Sequence, residues 1–293
     1  MKRLNRKLKV ALLSVMSNTM LIILKVVAGL LSGSVSIISE AIHSSMDLIA
    51  SIIALFSVSV SSKPADRQHP YGHGKIENIS GVIEGLLIFI AAFLIIKESI
   101  NKILNPSEIS GVSIGIVVMT IASISNLIVS RALYKVAKQE DSIALEADAL
   151  HLKTDVYTSL GVAIGLLLIK VTGIAILDPI VAMLVALLII KEAWKLCSDA
   201  FGPLLDTCLP EEDEKQIQEI INNFDNVTEC HSLRTRKSGH YKYIDLHLVV
   251  KGEISVAEAH GICDEIEKSI EEKIVNSSIN IHVEPEELPI EEK

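Results

Sequence analysis

"SEAIHSSMDLIASIIALFSVSV", running from Ser39 to Val60, is an apolar stretch that carries His43 and Asp47 near its start. Crossing a hydrocarbon core of about 30 Å takes roughly 20 apolar residues in a helix, and this stretch meets that length. Positions i and i+4 share one face of a helix, so the imidazole and the carboxylate lie on the same side. Ionisable side chains are expensive at that depth, and a span that keeps two of them is marked as functional.

Six such runs lie before about Leu205, near Val10–Leu31, Val35–Val60, Ile79–Ile96, Val112–Leu133, Ala144–Ile169 and Ile174–Trp194. The 293-residue chain has a mean hydropathy of +0.44 although 22% of it is charged, which suits a division between lipid and water better than one uniform globule. The first run is too long for a cleavable leader, lacks a small-residue cleavage site and is followed by five more. Lys2, Arg3, Arg6, Lys7 and Lys9 precede run 1; Lys63, Arg67 and Lys75 separate runs 2 and 3; Arg131, Lys135 and Lys138 separate runs 4 and 5; Lys191 and Lys195 close run 6. The other side holds only Lys97, Lys102 and Lys170. Basic residues mark the cytoplasmic side. The expectation is a multi-pass, all-α six-helix transmembrane bundle in the cell (plasma or inner) membrane, spanning residues 1–207, with both termini cytoplasmic.

After "FGPLLDTCLP" the pattern becomes that of a water-soluble domain, residues 208–293. Pro210 and the acidic run Glu211–Glu214 suit a helix start, and Ile217, Ile220, Ile221 and Phe224 give that helix one apolar face. "HSLRTR" and "YKYIDLHLVV" alternate as two strands around the turn "KSGH". Ser255 and Glu258 form a capping box ahead of a helix with the stripe Val256, Ala259, Cys263, Ile266 and Ile270, and "SINIHVEP" adds a last strand. The order is αββαβ, an α+β domain of about 80 residues, enough for a modest core. The net charge of −9 sits mostly in this tail, and no cluster of Lys and Arg offers a nucleic-acid surface. Cys197, Cys208, Cys230 and Cys263 show no Cys-x-x-Cys spacing and read as reduced thiols.

The chemistry lies in a weak internal repeat. "EAIHSSMDLIAS" (Glu40–Ser51) aligns with "DALHLKTDVYTS" (Asp148–Ser159), so His151 and Asp155 repeat the spacing of His43 and Asp47. Run 2 enters from one side and run 5 from the other, the antiparallel arrangement that places transporter sites near mid-membrane. Each pair falls about ten residues from its entry, near the middle of the core at roughly 1.5 Å per residue. Two imidazoles and two carboxylates make a four-coordinate set suited to tetrahedral Zn²⁺. Mg²⁺ and Ca²⁺ prefer six or more oxygens, and Cu(I) wants sulfur. Co²⁺, Fe²⁺, Ni²⁺ and Cd²⁺ stay open, as does simple hydrogen bonding between the pairs and their neighbours. Lys153, between His151 and Asp155, is read as pointing to another face, and Glu84 and Asn126 as intramembrane polars that line a wet path or bond helix to helix.

Eight of the nine histidines belong to this set, to the loop "KPADRQHPYGHGKIE" or to the strands and helix of the tail, leaving His240 in a turn. Pro70, Gly72 and Gly74 bend the loop so that Asp66, His69 and His73 could converge. In the tail His231, His247 and His282 fall on strands and His260 on a helix, with Glu284 two positions beyond His282 and so on the same strand face.

Taken together, the two His-x-x-x-Asp pairs, "HPYGHGKIE", "GPLLD" and "HSLRTRKSGH…IDLHL…AHGICDEIE…INIHVEP" resemble the cation diffusion facilitators over nearly the whole chain, about Lys9 to Pro285. The resemblance is to bacterial and archaeal zinc exporters with a C-terminal cytosolic domain. It implies a homodimer of six-helix protomers in the lipid bilayer, each with a ferredoxin-like cytosolic domain, exporting divalent metal ions in exchange for protons. By that likeness His43, Asp47, His151 and Asp155 form the transport site, and Asp66, His69 and His73 a loop site. His231, His247, His260 and His282, with Glu284 where relatives tend to have Asp, take a regulatory metal. Lys75 and Asp206 match a charge pair at the dimer hub. Having His at position 43, where cadmium-transporting relatives often have Asp, resembles the more zinc-selective members. Zn²⁺ is then both substrate and cytosolic regulator, and no organic cofactor is called for. Fe²⁺, Co²⁺, Cd²⁺ or Mn²⁺ as the main substrate, and a membrane-anchored metal sensor, are the competing readings. An enzyme is not expected: an intramembrane metalloprotease would carry His-Glu-x-x-His on a helix, and the sequence has none.

Overall fold

The computed structural model describes residues 4–32, 35–104, 112–172 and 176–286. The chain divides into two compact units, Met1–Phe201 and Gly202–Lys293.

The first unit is helical: α1 (Leu4–Ser32), α2 (Val35–Ser61), α3 (Lys75–Leu104), α4 (Val112–Glu140), α5 (Ile143–Thr172) and α6 (Leu177–Phe201). Within the described residues, Arg6–Val27 in α1 and Lys75–Asn101 in α3 are long and apolar enough to cross a bilayer, and α2 offers the shorter apolar stretch Asp47–Ser61. Ile174, the expected start of the sixth run, lies outside the described residues.

The packing of this unit inverts that of a water-soluble bundle. Leu12, Met16, Met20, Phe56, Phe93 and Leu188 are exposed, whereas Ser14, Asn18, Ser51, Asn126 and Asp148 are buried. Lipid is as apolar as leucine, so the interior of a membrane bundle gains most from close backbone approach and hydrogen bonds. Small residues serve that approach: Ala11, Ala50, Ala54, Ala92, Ala147 and Ala193 are all fully buried. The α3–α6 contact is the tightest case. A Cβ on Gly81 would lie 3.0 Å from the Cβ of Ala200, and one on Gly85 would overlap the Cys197 Sγ.

The second unit runs from a short 3₁₀ turn, Gly202–Leu205, through α7 (Glu211–Ile221), β1 (Val227–Ser238), β2 (Tyr241–Val250), α8 (Val256–Lys273) and β3 (Ser277–Pro285). The sheet order is β1-β2-β3, with β1 and β2 antiparallel and β2 and β3 parallel. One face of β2, Ile244, Leu246, Leu248 and Val250, packs with Ile217, Ile220 and Ile221 of α7 and Ile266 and Ile270 of α8 into a single core. The Ser255–Glu258 capping box is formed in both directions at the start of α8.

Two local features differ from the sequence reading. The hairpin turn shrinks to Gly239 and His240, because Lys237 and Ser238 stay in the ladder and Ser238 faces Tyr241. A two-residue turn whose first residue has φ above zero matches strand twist, and Gly239 has φ +60°. In β1 the register slips by one residue between His231 and Arg234, with Ser232 at φ +54°. This is a β-bulge, which bends the strand and re-aims the side chain beside it.

Candidate metal centres

In the helical unit, α2 carries Asp47 and α5 carries His151 and Asp155. His151 Nε2 lies 3.1 Å from Asp47 Oδ1, with both side chains buried. One ligand atom from each of Asp47, His151 and Asp155 falls within 4.8 Å of the others. Bonds of 2.0–2.2 Å to a tetrahedral ion put ligand atoms about 3.3–3.6 Å apart, so small side-chain shifts close this set around a cation. His43 sits one turn before Asp47 in α2, and its side chain lies outside the described residues. Lys153 points elsewhere: it is exposed, its Nζ 5.4 Å from the Tyr157 ring centroid.

A polar network adjoins this cluster, and its spacing alone gives it no role. Ser51, one turn after Asp47, donates to Asp148 Oδ1 at 3.1 Å and lies 3.1 Å from Ser14 Oγ; Asn18 Nδ2 donates to Ser51 Oγ. Asp148 is fully buried and three residues before His151, on the same face of α5. The signal was present, since Asp148 occupies the acidic first position of the internal repeat. Glu84 of α3 is also fully buried, and neither of its carboxylate oxygens has a hydrogen-bond partner among the described residues.

The loop between α2 and α3 gathers a second set. His69 Nδ1 lies 3.2 Å from Asp66 Oδ1, and His73 Nε2 lies 3.4 Å from Asp66 Oδ2. The loop is shaped by that carboxylate, whose Oδ1 accepts the backbone N–H groups of Gln68 at 2.9 Å and His69 at 2.7 Å. Gly72, at φ +79°, supplies the turn that returns His73 to Asp66. Those backbone donors, His69 first, hold the Asp66 carboxyl below its ordinary 3.8.

The sheet of the second unit builds a third set. The ladder aligns His231 with His247 and His247 with His282, so one row of imidazoles crosses all three strands. Glu284 reaches across that row: its carboxylate is 2.9 Å from His247 Nδ1, 3.4 Å from His231 Nε2 and 3.7 Å from His282 Nε2. His231, His247 and Glu284 converge within 4.8 Å, while His282 adds a ring 4.8 Å from that of His247. The bulge at Ser232 follows His231 directly. His260 is not drawn into this set; it stands exposed on α8, 3.7 Å from Asp264. Asp206, with φ +55°, lies 3.6 Å from Arg236, and Lys75 opens α3.

Family models match the chain in the order of these units. A cation efflux transmembrane domain matches residues 11–205, and the cytoplasmic domain of cation efflux proteins matches residues 209–286. An uncharacterised transporter of Synechocystis sp. is 36% identical over 270 residues, 91% of this chain and 86% of the relative. The cation-efflux pump FieF of Pectobacterium atrosepticum is 32% identical over 265 residues, 90% of this chain and 88% of the relative. A structure of the zinc form of CzrB is 39% identical, covering 28% of this chain and 93% of that one, with a TM-score of 0.26.

Proposed function

The chain belongs to the cation efflux family, the cation diffusion facilitators, as a transporter of divalent metals, and on that premise we propose that it exchanges cytoplasmic Zn²⁺ for external protons. The observation that carries the reading is the convergence of Asp47, His151 and Asp155 inside the helical unit. With His43 one turn away, the donors are nitrogen and oxygen only, a set that fits Zn²⁺ better than a hard oxygen-seeking ion.

The ligands themselves couple the two flows. Imidazole and carboxylate bind metal only when deprotonated, so metal and proton compete for the same atoms. Exporting a dication against an inside-negative potential costs about 4.6 kcal/mol per 100 mV, and each returning proton cancels half of that. Zn²⁺ enters from the cytoplasm, the helices rock, and incoming protons displace it outside. All six helices cross the membrane in this reading, with both termini cytoplasmic.

The other two sets act on the cytoplasmic side. Asp66, His69 and His73 form a loop site at the entry. His231, His247, His282 and Glu284, with His260 contributed within or between protomers, take regulatory zinc that draws two cytosolic domains together. Lys75 and Asp206 lock the membrane parts of a homodimer.

The test is ⁶⁵Zn flux into proteoliposomes under an imposed pH gradient, comparing the native chain with Asp155→Ala. Flux that follows the gradient and is lost in the variant supports the exchange. Flux indifferent to the gradient at fixed voltage overturns proton coupling. Repeating the assay with Fe²⁺, Co²⁺, Cd²⁺ and Mn²⁺ decides the metal, and a folded native chain that moves none of them is a sensor.

A further inference from the structure

We propose that Glu84 is a proton-carrying site of this transporter, distinct from the metal ligands and acting through Asp148. The inference rests on the exchange reading above and assigns it a proton that no ligand supplies.

Glu84 lies on α3, fully buried, with both carboxylate oxygens sealed from water and unmatched by any donor among the described residues. One turn on from Glu84, Ile88 packs in one buried cluster with Ala147 of α5, the residue before Asp148, which is another fully buried carboxyl group. Asp148 Oδ1 accepts from Ser51, while its Oδ2 has no partner among the described residues. Three buried carboxylate oxygens thus lack a donor. Leaving an ionised carboxylate in that condition costs far more than neutralising it, so a proton supplies the missing partner. No cation of α1, α2 or α6 is in an ion pair with either group among the described residues. The groups around Asp148 are Ser14 of α1, Asp47 and Ser51 of α2 and His151 of α5 itself; Asn18 of α1 bonds to Ser51, and Cys197 of α6 lies beside Gly85, the residue after Glu84.

The position gives the proton a task. Asp148 is one helical turn from His151, and Ser51 touches both the Asp148 carboxylate and the Asp47 backbone carbonyl, at 3.1 and 3.0 Å. A dication arriving at Asp47, His151 and Asp155 therefore adds two positive charges one turn away from Asp148, in a medium that screens weakly. The Glu84 O–H bond breaks, the proton moves to the Asp148 carboxylate and is lost from there to bulk solvent when the rocking helices open the site, and the carboxylate left at Glu84 is balanced by the metal. When the metal departs outward, the carboxylate recovers a proton. The exchange then includes one proton displaced by field and the others displaced by competition for ligand atoms.

The experiment is calorimetric titration of Zn²⁺ into the full-length protein in two buffers of different ionisation enthalpy, which counts the protons released. Glu84→Gln imitates the neutral acid in shape, and Asp148→Asn serves as an independent second variant. The expected result is about one proton fewer released per chain in Glu84→Gln near neutral pH, with a correspondingly shallower pH dependence of Zn²⁺ affinity. In a His151→Ala background, adding Glu84→Gln should change nothing, because the metal no longer arrives beside the pair. An unchanged proton count and pH slope in both Glu84→Gln and Asp148→Asn overturns the inference while leaving ligand-based exchange intact. A native chain that releases no protons on binding Zn²⁺ overturns the exchange reading, and this inference with it.

Discussion

Lys7 Nζ lies 3.2 Å from Glu77 Oε1, an ion pair with both side chains buried that joins the first turn of α1 to the first turn of α3. Ser61, the last residue of α2, donates to the same Glu77 oxygen at 2.7 Å, and Ser142, just before α5, donates to the other. One carboxylate thereby ties the ends of four helices.

Removing one partner of a buried ion pair strands the other, and Lys7→Met is expected to cost about 3–5 kcal/mol. Adding Glu77→Gln should recover part of that loss, since the orphaned charge goes with it. Thermal unfolding of the four members of this double-mutant cycle in detergent measures the coupling. Additive losses would show that the pair carries no energy of its own.

The α3–α6 contact should be intolerant of a single methyl group. In Gly85→Ala the new Cβ overlaps the Cys197 Sγ, while its 3.6 Å approach to the Cys197 backbone nitrogen is ordinary contact, so the sulfur is the group that must move. Overpacking of this kind costs about 1–3 kcal/mol. Cys197→Ala removes the sulfur and should restore most of the stability of Gly85→Ala, read by thermal unfolding. Failure of that rescue would place the strain in the backbone.

In the cytosolic sheet, the Glu284 carboxylate lies within 4 Å of three imidazoles, those of His231, His247 and His282. Glu284→Gln keeps the shape and removes the charge, and zinc affinity there is expected to fall roughly tenfold or more. Chelator competition in a background of Asp66→Ala and Asp155→Ala isolates this site. His260→Ala should leave the affinity unchanged in a single protomer. A loss with His260→Ala would mean that the ligand set closes across two protomers.

The loop carries a pH prediction with a definite sign. Asp66 is held below its ordinary 3.8 in the folded chain by backbone donors, so its contribution to loop order is fully present above 3.8. It is lost as pH falls through the lowered folded value. In metal-free protein the backbone amide of His69 should therefore titrate with a midpoint below 3.8 by NMR. A midpoint at or above 3.8 would show that those hydrogen bonds do not persist in solution.

The parts legible in the sequence are those written at helical or strand spacing. The i, i+4 pairs were visible because a carboxylate and an imidazole stand out in an apolar run, and the Ser255–Glu258 box because its two halves are three residues apart. The apolar alternation of β2 likewise announced its buried face. What stayed hidden depends on partners distant along the chain. Lys7 and Glu77 are 70 residues apart and each reads as an ordinary charge at a helix start. The bulge at Ser232 exists only relative to β2, and nothing in "CHSLR" fixes where the extra residue falls. Asp148 is legible as a repeat position, yet its burial against Ser51 depends on α2 and α5 lying together.

Helix α3 has opposite kinds of attachment along its length. Its start is held by ions and hydroxyls: Glu77 to Lys7, Ser61 and Ser142, and Ser80 to Ser57 at 2.9 Å. Its flank against α6 is held by the absence of side chains at Gly81 and Gly85. Such a helix is a lever with its fulcrum at Glu77, carrying α6 as a rider. Leu104 stands about 40 Å from that fulcrum and Glu84 only about 10 Å, at 1.5 Å per residue. A tilt that sweeps the far end through several ångströms moves Glu84 by roughly a quarter as much, so the Leu104 end of the bundle can open while the buried carboxyl group keeps its place.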